Sequence, residues 1–251
     1  MYITGIGVFF LIVIGGPLGY HFFSIPPTCT DGIQNQGETT VDHGGPCLLL
    51  DDRTLQPHAV LWARSFLVRE GSYNAVAYIE NPNEHAGVRE AHYRFSFFDS
   101  ENRLITKRDG IAAVMPGGTT PIFEGRVDAG ERVVTRTRFE FTQPLRWERL
   151  KNIAASVSVG NIVTQTLDSS PRVSAQVTSR SYTDIGDLSF VAVAFDTVGN
   201  AFAVSGTALS RLPAGGNAAI SFTWPTAFTL KIGRLDVIPI HIPQPDPLPG
   251  Q

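Results

Sequence analysis

No charged side chain occurs before Asp31, and the first lysine or arginine is Arg53. The opening 25 residues, MYITGIGVFFLIVIGGPLGYHFFSI, are therefore an uncharged apolar run longer than the ~20 residues a membrane-spanning helix needs. The same absence removes the basic flank from which orientation is usually read. Basic excess is missing elsewhere too. Twenty Lys and Arg against 23 Asp and Glu leave a net charge of −3, which argues against nucleic acid as a partner. Also absent are a Gly-x-Ser-x-Gly elbow, the Lys-Ser/Thr that completes a phosphate loop, and any His-x-His or His-Glu-x-x-His spacing among His21, His43, His58, His85, His92 and His241. These gaps predict a chain that is not an enzyme. Cysteine is scarce, with Cys29 and Cys47 the whole complement.

What is present begins with the apolar run itself, which reads as a transmembrane anchor over 1–26. A cleaved secretory signal is the alternative, but the small-x-small pattern is missing and Pro26-Pro27 stands where cleavage would fall. Gly15-Gly16-Pro17 should bend the anchor, which a bilayer tolerates. The cysteines follow, flanking the Gly-rich polar stretch CTDGIQNQGETTVDHGGPC. Two cysteines around such a loop in an anchored chain suggest a Cys29–Cys47 disulfide, formed on the oxidising, extracytoplasmic side. Its closure is worth on the order of 3 kcal/mol by the chain-entropy model. Asp31, Asn35, Glu38 and Asp42 place four oxygen-bearing side chains in the loop, the ligand chemistry Ca²⁺ prefers. The plainer reading is turn residues that bond their own backbone. Zinc held by Cys29, His43 and Cys47 is a further alternative that lacks an obvious fourth ligand.

This stretch resembles a small cysteine-rich motif of exported proteins, C-x-D-G-x-x-N-x-x-E-x-x-x-D-C-G-G-x-C. Cys29, Asp31, Gly32, Asn35, Glu38, Asp42, Gly44, Gly45 and Cys47 match it, while His43 stands in place of the middle cysteine. The resemblance implies export and names no activity.

The larger part of the chain is organised around a self-similarity. Phe95 to Gly118 returns 97 residues later as Ala192 to Gly215, with Phe98-Asp99 on Phe195-Asp196 and Pro116 and Gly118 on Pro213 and Gly215. Tyr93 falls on Phe190, Met115 on Leu212 and Phe123 on Ile220. Strand patterns surround these landmarks. Val60 to Val68 reads as a strand, and Asn74 to Glu80 alternates Ala75-Ala77-Ile79 against Asn74-Val76-Tyr78. Ala91, Tyr93, Phe95 and Phe97 face one way with His92, Arg94 and Ser96 opposite. Thr120 to Glu124, Arg132 to Phe141, Ala218 to Trp224 and Leu230 to Ile238 are further strands. About seven short strands per copy, with turn signals every 8–12 residues, predict an Ig-like sandwich. The expected fold is all-β: two tandem Ig-like antiparallel sandwiches behind one N-terminal transmembrane helix. The boundaries read 1–26 anchor, 27–57 clamped loop and connector, 58–145 and 146–240 sandwiches, and 241–251 a Pro-rich extended tail.

Phe95 to Asp99, Phe-x-Phe-Phe-Asp, also resembles the FxLYD-type bacterial surface domain, whose motif is aromatic-x-apolar-aromatic-Asp. That resemblance implies presentation or binding, with a protein or glycan partner. Arg126, Arg132, Arg136 and Arg138 predict a basic strand face, read either as charge protecting an edge or as a docking site for an acidic partner. Trp147, in the linker, is expected to cap the first core.

Overall fold

The computed structural model describes residue 7 and residues 9–23, 29–35 and 37–246. It divides into two compact units, Met1–Leu48 and Leu49–Gln251. In the first, a widened π-helical turn at Leu11–Gly15 runs into helix α1 (Gly16–Phe23). The irregular turn lies immediately before Gly16-Pro17, where proline cannot return an N–H to the preceding turn. No helix among the described residues is long and apolar enough to cross a membrane. Residues 1–6, 8 and 24–26 of the expected 1–26 span lie outside the described residues.

The second unit is antiparallel β-structure. Its strands are β1 (Ala59–Arg69), β2 (Ser72–Asn81), β3 (Ala86–Phe98), β4 (Leu104–Val114), β5 (Gly118–Asp128), β6 (Arg136–Phe141), β7 (Glu148–Lys151), β8 (Val157–Gln165), β9 (Arg172–Ser179), β10 (Ile185–Phe195), β11 (Ala201–Leu212), β12 (Asn217–Thr223), β13 (Arg234–Ile240) and β14 (Gln244–Pro245). They build four sheets. Sheet I has the order β1-β2-β5, and sheet II places β3 between β4 on one side and β6 and β7 on the other. Sheet III has the order β11-β10-β13, and sheet IV β12-β9-β8. Sheets I and II thus repeat the connectivity of sheets IV and III, with β1, β2, β3, β4, β5 and β6 answering to β8, β9, β10, β11, β12 and β13.

Period-two alternation explains the cores. Ala91, Tyr93, Phe95 and Phe97 of β3 meet Ala75, Ala77 and Ile79 of β2 in one cluster between sheets I and II. Leu188, Phe190, Ala192 and Ala194 of β10 meet Val173, Ala175 and Val177 of β9 in another, between sheets III and IV. The opposite faces of β2 and β10 are not solvated. Val76 and Tyr78 pack on Val191, Val193 and Phe195 in a third cluster that joins sheet I to sheet III. The sequence signal for this was the apolar character of both faces of β2, the mark of a strand covered on both sides. The two sheet pairs are therefore continuous layers of one unit, in the order II, I, III, IV, and not separate beads on a linker.

The ends of this stack differ from its middle at equivalent positions. Arg94 and Ser96 of β3 occupy the places that Val191 and Val193 hold in β10, 97 residues on. Arg94 is bonded twice to Asp109, at 2.6 and 2.9 Å, on the outer face of sheet II. The pairings Ala77↔Ile122 and Ala175↔Ile220 match β2 to β9 and set Ser174 and Gln176 where Val76 and Tyr78 lie. Polar residues at both outer faces stop the stacking after four layers, as capping repeats do.

The same register corrects one sequence alignment. Ile122, not Phe123, answers to Ile220, because the second copy has one more residue between its proline and this strand position. A slip of one residue reverses the face, and Phe123 packs in the joining cluster while Ile220 lies in the second core. Three other expectations shift. The boundary at 146 moves: Trp147 packs in the first core, as expected, and β7 pairs with Ala86 and Gly87, so 146–151 belongs with the first sheet pair, not the second. The strand expected from Arg132 begins at Arg136. The tail is paired where it begins, Gln244 and Pro245 lying against Lys151 and Leu150; residues 247–251 lie outside the described residues.

The repeated Phe-Asp landmark is a turn device. Asp99 Oδ1 accepts from the N–H groups of Glu101 and Arg103, and Asp196 Oδ1 accepts from those of Val198 and Asn200. Each turn has a positive φ at the same place, Asn102 at 61° and Gly199 at 89°, positions that Asn and Gly tolerate. The backbone N–H of Arg103, then the Arg132 guanidinium, hold the Asp99 carboxyl down to about 2 from 3.8. A depressed carboxyl contributes stability above its unfolded pKa and loses it as pH falls through the folded one. Protection of the amides in the 99–103 turn, taken relative to the intrinsic exchange rate at each pH, is therefore expected to hold above about pH 4 and to fall progressively between about pH 4 and 2. Constant protection across that window would refute this role for Asp99.

Candidate functional site

Cys29 and Cys47 are joined as a disulfide. This corrects the zinc reading of Cys29, His43 and Cys47, because sulfurs spent in a disulfide leave no thiolate to bind metal. Inside the loop, Glu38 is 7% exposed. Its Oε2 accepts from the backbone N–H of Asn35 and of Asp42, both at 3.2 Å. Its Oε1 lies 3.1 Å from Cys47 Sγ, a contact and not a hydrogen bond, since that sulfur carries no proton. The Asp42 carboxylate accepts from the N–H groups of Asp31 at 3.1 Å and Gly32 at 3.2 Å. Asp31 in turn accepts from the Ile33 N–H at 2.8 Å and from Asn35 Nδ2 at 3.0 Å. The four residues singled out for calcium are thus gathered in one network, and their carboxylates hold the loop backbone. Asn35 Oδ1 is buried with no hydrogen-bond donor among the described residues. His43 Nδ1 lies 2.7 Å from the Val41 carbonyl.

In the second unit, the joining layer carries an aromatic cluster. Trp62 stacks on Tyr78 at 4.3 Å, Phe195 meets both edge-on, and the Arg234 guanidinium lies 4.0 Å over the Phe195 ring. The Tyr78 hydroxyl donates to Asp236 at 3.4 Å, and Asn74 Nδ2 donates to the Val204 carbonyl at 3.3 Å. β2 therefore runs across sheet III from β11 towards β13.

Beside this layer opens a cleft of about 470 Å³. Its lining comes in consecutive runs: Ile111 to Ala113 of β4, Pro121 to Phe123 of β5, Ser189 to Val191 of β10 and Gly206 to Ala208 of β11, with Ile240 and Ile242 beyond. A Cβ at Gly206 would lie 2.9 Å from a Phe123 ring carbon, so a larger residue there would have to displace that ring. Tyr93 also lines it, its hydroxyl donating to Glu124 Oε2 at 2.8 Å. Burial first, then the Glu124 carboxylate, push this phenol well above its ordinary pKa. Sequence reasoning did not find the cleft, whose walls belong to strands from both copies.

The expected basic face is dispersed. Arg132 pairs with Asp99, Arg138 with Glu140 at 3.1 Å, and Arg136 lies 5.0 Å over the Phe98 ring. Arg126 is on β5, away from that strand.

No protein-family model matches the chain, and no curated protein matches it. Among solved structures, a red sea bream transglutaminase is similar at 10% identity and a TM-score of 0.25, over 73% of this chain. This chain spans 31% of the length of that protein. A yeast delta-COP-I mu-homology domain complexed with a Dsl1 WxWxV peptide is similar at 12% identity and a TM-score of 0.24, over 70% of this chain and 76% of that one.

Proposed function

We propose that this is a membrane-anchored, exported protein without catalytic activity, presenting two Ig-like domains for adhesion, scaffolding or assembly with envelope partners. The observation that carries the reading is the Cys29–Cys47 disulfide placed directly after an uncharged apolar run. Disulfides persist where the surroundings oxidise, which supports an extracytoplasmic position for the bulk of the chain. The repeated sheet connectivity supports duplication of one domain, and the core between sheets I and II with that between sheets III and IV supports Ig-like units. A second reading, a Ca²⁺-responsive module at Asp31, Asn35, Glu38 and Asp42, is favoured by the buried Asn35 oxygen that has no donor among the described residues.

Two preparations of the full chain test the two readings. In intact cells expressing the full chain, a membrane-impermeant maleimide should label Cys29 and Cys47 only after a reductant is added. Labelling without reductant, or only after lysis, would sink the first reading. In the purified oxidised chain, calcium should slow amide exchange across 29–47 relative to EDTA if the second holds; equal exchange rejects it.

A further inference from the structure

The disulfide of the first unit presents its two halves unequally. Cys47 is 1% exposed, whereas Cys29, at the other end of the loop, is partly open to solvent. Buried Glu38 sets Oε1 3.1 Å from Cys47 Sγ, and a Glu38 oxygen and both sulfurs lie within 4.8 Å of one another. The backbone N–H groups of Asn35 and Asp42 hold this carboxylate in place. Both donate to Oε2, so Oε1 is the oxygen turned to the sulfur. Thiol–disulfide exchange needs a thiolate to reach one sulfur while the other carries away the negative charge.

We infer that a thiol exchanges with this loop at Cys29, that Cys47 is the sulfur displaced, and that Glu38 slows the step. A thiolate attacking Cys29 Sγ forms a new S–S bond there. The Cys29–Cys47 bond breaks and its electron pair leaves on Cys47 Sγ, which takes a proton from water. A second thiolate then displaces Cys29, and the thiol reductant departs as its own disulfide. Burial closes Cys47 to the first attack. The charge arriving on Cys47 meets the Glu38 carboxylate in a site closed to water, where like charges repel far more than in solvent. The loop is therefore open to a thiol at one sulfur, and its own buried carboxylate opposes completion of the exchange.

The test uses the oxidised full chain in lipid nanodiscs, with glutathione as the thiol and EDTA present so that no cation neutralises Glu38. Trapping of freed thiols with N-ethylmaleimide, followed by mass mapping, should place the first glutathione on Cys29 and the maleimide on Cys47. Glu38→Gln should be reduced about tenfold faster, because exchange quickens as the leaving sulfur carries its charge more easily. Asp42→Asn is the control for a loosened loop. It weakens the acceptor for the Asp31 and Gly32 N–H groups yet leaves the Glu38 carboxylate at the sulfur, so its rate should stay near the parent's. The inference is overturned if the first glutathione is found on Cys47, if Glu38→Gln is reduced no faster than the parent, or if Asp42→Asn is accelerated as much.

Discussion

Replacing Val191 by arginine is expected to detach the two sheet pairs from each other at a cost of about 3–5 kcal/mol, the range for an uncompensated buried charge. Val191 is 3% exposed in the joining layer. The substitution copies a residue the chain already uses, because Arg94 holds the equivalent place on the outer face of sheet II. There Asp109 pairs with it; in the joining layer Val191 faces the apolar side chains of sheet I. Calorimetry on the full chain should show one cooperative transition of the second unit become two. The milder pair Val76→Ser and Tyr78→Gln copies Ser174 and Gln176 and should act in the same direction without burying a charge. If V191R unfolds in one transition with an unchanged midpoint, the joining layer does not couple the sheet pairs.

Phe95→Ala should destabilise the second unit by about 3–5 kcal/mol, as expected for emptying a fully buried aromatic position. The result is informative because alanine already stands at the equivalent position of the second copy. Ala192 is fully buried there, in a core that also holds Phe222 and Trp224. In the first core Phe95 meets Phe139 at 5.0 Å and Tyr93 at 5.7 Å, and these rings are held by their own strands. They cannot collapse into the space that Phe95 leaves, so the cavity persists. Denaturant unfolding should show a lower midpoint with an unchanged slope. A loss below about 1 kcal/mol would mean that the first core repacks freely.

Much of this architecture was legible one strand at a time. Period two in β3 identified Tyr93, Phe95 and Phe97 as core, and the Asp99 and Asp196 turns carried their composition openly. The disulfide followed from cysteine scarcity and the polar loop between the pair. Arg132 was harder to place, because a strand pattern continued through it, while its side chain reaches back to Asp99 across the 99–103 turn. β7 was assigned to the wrong sheet pair for a similar reason: linker composition does not reveal that Glu148 and Arg149 pair with Gly87 and Ala86, more than 60 residues earlier. The cleft had no local signal at all.

By itself the sequence determined an all-β chain, its strand faces, its turns and the cysteine pair, since each depends on residues near in the chain and on alternation. Tertiary structure alone decided what covers the second faces of β2 and β10. Alternation shows that a strand has two faces, and apolar residues on both show that both are covered, but many apolar surfaces could do the covering. Only the positions of sheets I and III set Val76 and Tyr78 against Val191, Val193 and Phe195, and with them the cleft that β4, β5, β10 and β11 line.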